Sequence, residues 1–291
     1  MPIIVLENDV LKVAVHTKGA ELQSVFNQQT GLEYMWSGDP AYWGKFSPVL
    51  FPIVGTLKND TYYYNHQSYQ LPRHGFARDM DFEVQHKEQA AASFSITATA
   101  ETLKKFPFPF QLLLHYSLVK NTLRVEYEVR NNGSSNMYFS IGAHPAFCVP
   151  LTADTVYSDY RLEFNKQETA GRWPISKEGL IEATPTPLLQ QTNTLPLQKE
   201  LFHKDAIVLK GLQSDCIQLC ADKTIHGWQF DYTDFPFMGI WAAKDAHFVC
   251  IEPWCGIADS VTATQQLTEK EGIHCLAAGE VFKRHWSLST R

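Results

Sequence analysis

Long hydrophobic runs are absent from this chain of 291 residues: nowhere do the roughly 18 consecutive apolar residues of a membrane-crossing helix occur. The segment Met1-Pro2-Ile3-Ile4-Val5-Leu6-Glu7-Asn8-Asp9 has an apolar stretch too short for a secretory leader and no basic flank, so a cytoplasmic location is expected. Basic charge is also scarce. Lys and Arg number 25 against 31 Asp and Glu, a net charge of −6, and there is no basic stripe, which argues against nucleic acid or an anionic membrane as the main partner. Paired cysteines are missing too. Cys148, Cys216, Cys220, Cys250, Cys255 and Cys275 form no Cys-x-x-Cys motif, so neither a structural zinc site nor a thioredoxin-like centre is indicated. They read as reduced core residues, and because Cys250 and Cys255 bracket Glu252, one of them is a candidate neighbour of that carboxylate.

Helical periodicity is thin. Ala100 to Lys105 and Ser176 to Leu180 each suit a single turn, and neither is long enough to cover a sheet. What the chain does have is 44% hydrophobic and 13% aromatic residues, ample for a large core, arranged mostly as strands. Ile3 to Leu6, Leu11 to Val15, Ser93 to Ala98, Leu112 to Leu118 and Leu123 to Val129 show period-two or short continuous apolar patterns. Gln111 to Arg130 reads as a hairpin turning at Lys120-Asn121, with Asn131-Asn132-Gly133 closing its second strand. Many strands and few helices predict an all-β fold, a large antiparallel β-sandwich. The stretch from Thr184 to Pro196, rich in Thr, Gln and Pro, reads as a long surface excursion. The strand pattern resumes beyond it unchanged, so a single domain over residues 1–291 is expected.

Two ionisable residues in apolar segments are each followed by proline: His144 in Gly142-Ala143-His144-Pro145-Ala146-Phe147 and Glu252 in Ile251-Glu252-Pro253-Trp254. Proline pushes its predecessor into an extended conformation and removes a ladder donor, which places such side chains at strand ends or irregularities. A histidine and a glutamate in apolar segments suggest a proton-transfer pair, since a buried unpaired acid is costly and function is the usual reason for one. Leu71-Pro72-Arg73-His74-Gly75-Phe76-Ala77-Arg78-Asp79 adds His74 and Arg78 around a glycine that signals a tight turn. The same segment also fits a plain hairpin with Arg78 paired to Asp79 or Asp81. Asp205 stands just before the apolar run Ala206 to Leu209, either as a solvated loop residue or as an acceptor of sugar hydroxyls.

Taken together and in order, Pro52 with Gly55, His74-Gly75-Phe76-Ala77-Arg78, Phe106-Pro107-Phe108-Pro109-Phe110, Gly142 to Phe147, Asp205-Ala206 and Glu252-Pro253-Trp254 resemble the aldose 1-epimerase (galactose mutarotase) family. The closest pattern is that of the bacterial branch carrying His-Gly-Phe-Ala-Arg. The resemblance implies a β-supersandwich with a sugar cleft, an isomerase working without metal or organic cofactor, and interconversion of the anomers of an aldohexose. Glu252 would be the general base and His144 the general acid. His74, Arg78 and Asp205 would bind the substrate, and Phe147, Trp254 or Phe237 would supply an apolar face for the pyranose.

Departures from the family pattern bear on the substrate. Thr56-Leu57-Lys58 follows Gly55 where galactose-type members carry arginine, and Gly44-Lys45-Phe46-Ser47-Pro48 replaces the arginine segment of hexose-6-phosphate mutarotases. Arg73, Arg78 and Lys45 nevertheless leave a phosphorylated sugar open. Two readings from other classes also remain: a carbohydrate-binding protein without turnover, and a metal enzyme using His74, His144 and Glu252. The presence of both His144 and Glu252 weighs against the first, and the lack of a His-x-His or His-x-Asp/Glu motif at His74 or His144 weighs against the second.

Overall fold

The computed structural model describes residues 2–291. Its frame is a nine-stranded antiparallel sheet, ordered Thr186–Pro196, Tyr160–Arg172, Cys216–Ala221, Trp228–Asp231, Val281–Thr290, Thr122–Asn131, Phe110–Val119, Ala91–Thr97 and Glu83–Lys87. A second sheet runs Ile141–Gly142, Phe248–Cys255, Phe237–Trp241 and Ile207–Lys210, with Ala146–Cys148 also paired to Phe248–Cys255. Four shorter strands from Ile3 to Glu33 form a third sheet.

The predicted hairpin forms with Val119 paired to Thr122, and Lys120 takes the left-handed φ of +53° that so tight a turn requires. Leu123, Val125, Tyr127 and Val129 point into the core, and Arg124 and Arg130 point out. The two larger sheets meet through aromatic rings. Phe147 of the smaller sheet lies 4.8 Å from Trp228 and 5.8 Å from Phe230 of the larger one. Phe230 stacks on Trp286 at 5.0 Å. Each such fully buried ring contributes about 1.5–3 kcal/mol relative to exposure, so this seam holds the smaller sheet rigidly over the larger.

Two expectations about local structure are corrected. Thr186–Pro196 is an 11-residue edge strand, not a loop, pairing with Tyr160–Arg172 through several register shifts. Few of its side chains are buried, Leu189 and Leu195 among them, and Pro187 and Pro196 are tolerated because an edge strand has one row of groups without ladder partners. An apolar-periodicity reading therefore has little to detect. Ser176 to Leu180 is a turn, not a helix. The Ser176 Oγ accepts from the Glu178 and Leu180 N–H groups, and Gly179 takes a φ of +80°. The other expected turn is a short helix, Ala100–Leu103, whose N-cap Thr99 accepts from the Thr102 N–H. Among the described residues, no helix is long and apolar enough to cross a membrane.

Candidate active site

Strand alternation creates the site. Along Phe248–Cys255, Val249 and Ile251 face the ring seam, so Cys250, Glu252 and Trp254 project from the opposite face. His144 reaches that face because Ala143 to Pro145 leave the ladder between two strands that both pair with Phe248–Cys255. The Ala143 N–H donates to the Pro253 carbonyl and the Ile251 N–H to the Pro145 carbonyl, which pin the excursion at both ends. The result puts Nε2 of His144 3.3 Å from Oε2 of Glu252.

Both side chains are buried, at 8% and 2% exposure. Burial pushes the Glu252 carboxyl up to about 8, a nearby Arg73 charge only partly opposing it, and burial pulls His144 down to about 3. Burial thus favours a neutral pair holding one proton, on Glu252. The Nδ1 of His144 is buried without a partner.

His74 enters from a turn in which it and Gly75 both take left-handed φ, +68° and +72°. A Cβ at Gly75 would lie 2.2 Å from the Phe51 carbonyl oxygen, so only glycine fits there. The His74 N–H donates to the Gly55 carbonyl, and the Gly55 N–H donates back to His74 Nδ1 at 3.1 Å. The rings of His74 and His144 meet edge to face at 5.8 Å. Burial, followed by the charge of Arg73, holds His74 well below the usual histidine value, so it is neutral.

Around these groups lies a cleft of about 460 Å³. Arg78 and Asp205 line it, together with Arg73 and Lys244. Asp205, at φ +88°, accepts from the Ala206 N–H through its own carboxylate. The Arg172 guanidinium donates to the carbonyls of Leu201, Asp205 and Ala206, fixing the loop that carries it.

The apolar face comes from tryptophan. Trp254 lines the cleft, joined by Trp43 and Trp241. Trp43 stacks on the His144 ring at 4.9 Å and meets Trp241 edge-on at 5.5 Å. Trp254 lies across its own sheet, where a Cβ at Gly142 or Gly239 would approach the indole to 2.7 or 2.4 Å. Phe147 is not a cleft residue, because strand alternation turns it into the ring seam, and Phe237 packs in a buried cluster beside Trp254 without lining the cavity. Lys45 and Lys58 are also elsewhere: Lys45 pairs with Asp79 at 3.1 Å, and Lys58 donates to the Val261 carbonyl.

The sequence matches the model of the family described as aldose 1-epimerase over residues 2–275. The chain belongs to the aldose 1-epimerase family. It is 33% identical to the chromosomal protein LacX of Lactococcus lactis subsp. lactis, across 98% of each chain. Among solved structures, it is similar to a galactose mutarotase related enzyme from Lactobacillus acidophilus, with 34% identity, a TM-score of 0.94 and coverage of 100% of this chain and 97% of that one. A galactose mutarotase-like protein from Lactobacillus casei gives 33% identity, a TM-score of 0.94 and full coverage of both. As an aldose 1-epimerase family member the chain is a carbohydrate-acting isomerase of the mutarotase type, on the expected galactose mutarotase-like β-sandwich.

Trp43, Trp241 and Lys244 escaped the sequence reading. Trp241 is placed by ladder register, since Gly239 is the register partner of Glu252 and Trp241 lies two residues further along the same face. Nothing local marks Trp43, which arrives from a loop far away in the chain.

Proposed function

We propose that the protein interconverts the α and β anomers of an aldohexose by ring opening, with Glu252 as general base and His144 as general acid. The observation that carries this reading is the 3.3 Å contact between the two side chains in the buried part of the cleft. The anomeric and ring oxygens of a pyranose share one carbon, so two groups this close can address both at once. Glu252 removes the anomeric proton, His144 protonates the ring oxygen, and the C1 to ring-oxygen bond breaks. The pair is left as carboxylic acid and neutral imidazole. That neutral pair is the form burial favours, and it is the form needed to close the open-chain aldehyde. Rotation about C1–C2 before closure gives the other anomer, with both transfers reversed. The cyclic sugar selects the charged form of the pair, because its hydroxyl donates to the carboxylate and its ring oxygen accepts from the imidazolium.

His74 is assigned as a hydrogen-bond donor to the sugar. Its Nε2 lies 3.2 Å from the Arg73 Nε–H, yet a neutral imidazole has one bare nitrogen and cannot accept at both. The Gly55 N–H is fixed in the backbone whereas Arg73 is an exposed side chain, so Nδ1 accepts and Nε2 carries the proton. Asp205 accepts hydroxyls remote from C1, and the indoles of Trp43, Trp241 and Trp254 pack against the ring's C–H surface.

A phosphorylated aldohexose is a second reading. With Glu252 protonated, the lining carries Arg73, Arg78 and Lys244 against Asp205 as its one charged acid, in a chain of net charge −6. NMR exchange spectroscopy on galactose, glucose and glucose 6-phosphate, with wild type and Glu252→Gln, tests both. Wild-type acceleration lost in the variant supports the reaction and ranks the sugars; binding without acceleration would leave a carbohydrate-binding protein.

A further inference from the structure

One buried group at the site has no part in sugar chemistry. Cys250 is fully buried, on the same strand face as Glu252 and two residues before it. Its Sγ, an imidazole nitrogen of His144 and a carboxylate oxygen of Glu252 all lie within 4.8 Å of one another. His74, the third member of the histidine and carboxylate set considered from the sequence, is not part of this convergence.

We infer that His144, Cys250 and Glu252 form a binding site for a thiophilic divalent cation of the zinc type, and that its occupancy blocks the isomerase. Nitrogen, sulfur and oxygen donors in one small cluster are the set zinc takes, with bond lengths of about 2.0–2.3 Å. Donors bound to a common tetrahedral centre are spaced about 3.3–3.8 Å apart on those bond lengths. The His144 to Glu252 distance of 3.3 Å already meets this.

Donor chemistry supports the convergence. A dication bound by one thiolate, one carboxylate and one neutral imidazole forms a neutral complex. The cation thereby enters a low-dielectric region without net charge burial. The inhibitory consequence rests on the proposed roles of His144 and Glu252, since the metal would occupy the carboxylate and ring nitrogen that move protons. The binding itself does not rest on them.

The test uses the whole protein, Zn2+ for affinity and Co2+ for spectroscopy, with Cys250→Ser and Cys250→Ala compared with wild type. Calorimetric titration in buffers of different ionisation enthalpy should show one site in wild type, with protons released on binding. Co2+ should give a thiolate-to-cobalt charge-transfer band. Both Cys250 variants should lose that band and weaken zinc by more than the tenfold typical of losing an outer-shell partner, while retaining metal-free anomerisation. Equal zinc affinity in wild type and both variants, or no thiolate band in wild type, would overturn the site. Tight Cys250-dependent binding with undiminished anomerisation would uphold the site and overturn the assignment of His144 and Glu252 as the reacting pair.

Discussion

His144 and Glu252 face each other at 3.3 Å although 108 residues separate them, because the same strand, Phe248–Cys255, pairs on both sides of the His144 excursion. Neither residue's own segment sets that distance. The ladder does, through Gly142 opposite Trp254 and Ala146 opposite Cys250.

Replacing either member of the pair should abolish most turnover. Glu252→Gln and His144→Asn are each expected to lose about 10²- to 10⁴-fold in kcat, the usual contribution of a general acid or base, with folding intact by circular dichroism. Near-native rates from either variant in NMR exchange spectroscopy would remove that residue from the mechanism.

Stability should depend on pH through Glu252 in a definite direction. Its carboxyl is raised from 4.5 to about 8 in the folded chain, so the native state holds a proton that the unfolded chain releases. The associated stabilisation is complete below pH 4.5 and is lost as pH rises toward 8. Glu252→Gln lacks this titration and should gain in melting temperature relative to wild type across that interval. A difference that stays flat from pH 5 to 8 would contradict the raised value.

Gly239→Ala should damage the cleft without touching a polar group. Its Cβ would lie 2.4 Å from the Trp254 indole, and neither the sheet backbone nor the packed ring can yield freely. Overpacking of this kind costs about 1–3 kcal/mol, and displacement of the indole should raise KM for the sugar. Urea unfolding together with steady-state kinetics separates the two effects.

Arg172 is expected to act as a positioning residue for Asp205. Arg172→Met removes donors from the carbonyls of Leu201, Asp205 and Ala206 and frees the loop. KM should rise while kcat changes little, because the reacting pair stands on other strands. A fall in kcat at constant KM would instead link Arg172 to the chemistry.

His74→Asn keeps a residue that tolerates the left-handed φ of +68° and an oxygen able to accept from the Gly55 N–H. It lacks the Nε2–H proposed to donate to the sugar. The variant should therefore fold, and its kcat/KM should fall more than its melting temperature. A loss of stability with kcat/KM unchanged would make His74 a turn residue only.

The local sequence determined the strands that alternate cleanly, such as Leu123 to Val129, and the hairpin at Lys120-Asn121, since period-two burial and turn preference are short-range effects. It also determined that His144 and Glu252 are anomalous, because a proline after an ionisable group in an apolar segment is visible within a few residues. Thr186–Pro196 was illegible because an edge strand with few buried side chains has almost no hydrophobic signal. Only the tertiary structure decided which aromatic rings face the cleft: Phe147 went to the seam, and Trp43 and Trp241 joined Trp254, as ladder register and loop path dictate. It alone decided the charge state of the pair as well. Burial is a property of the assembled sheets, and it is burial that lifts Glu252, depresses His144 and leaves one proton between them.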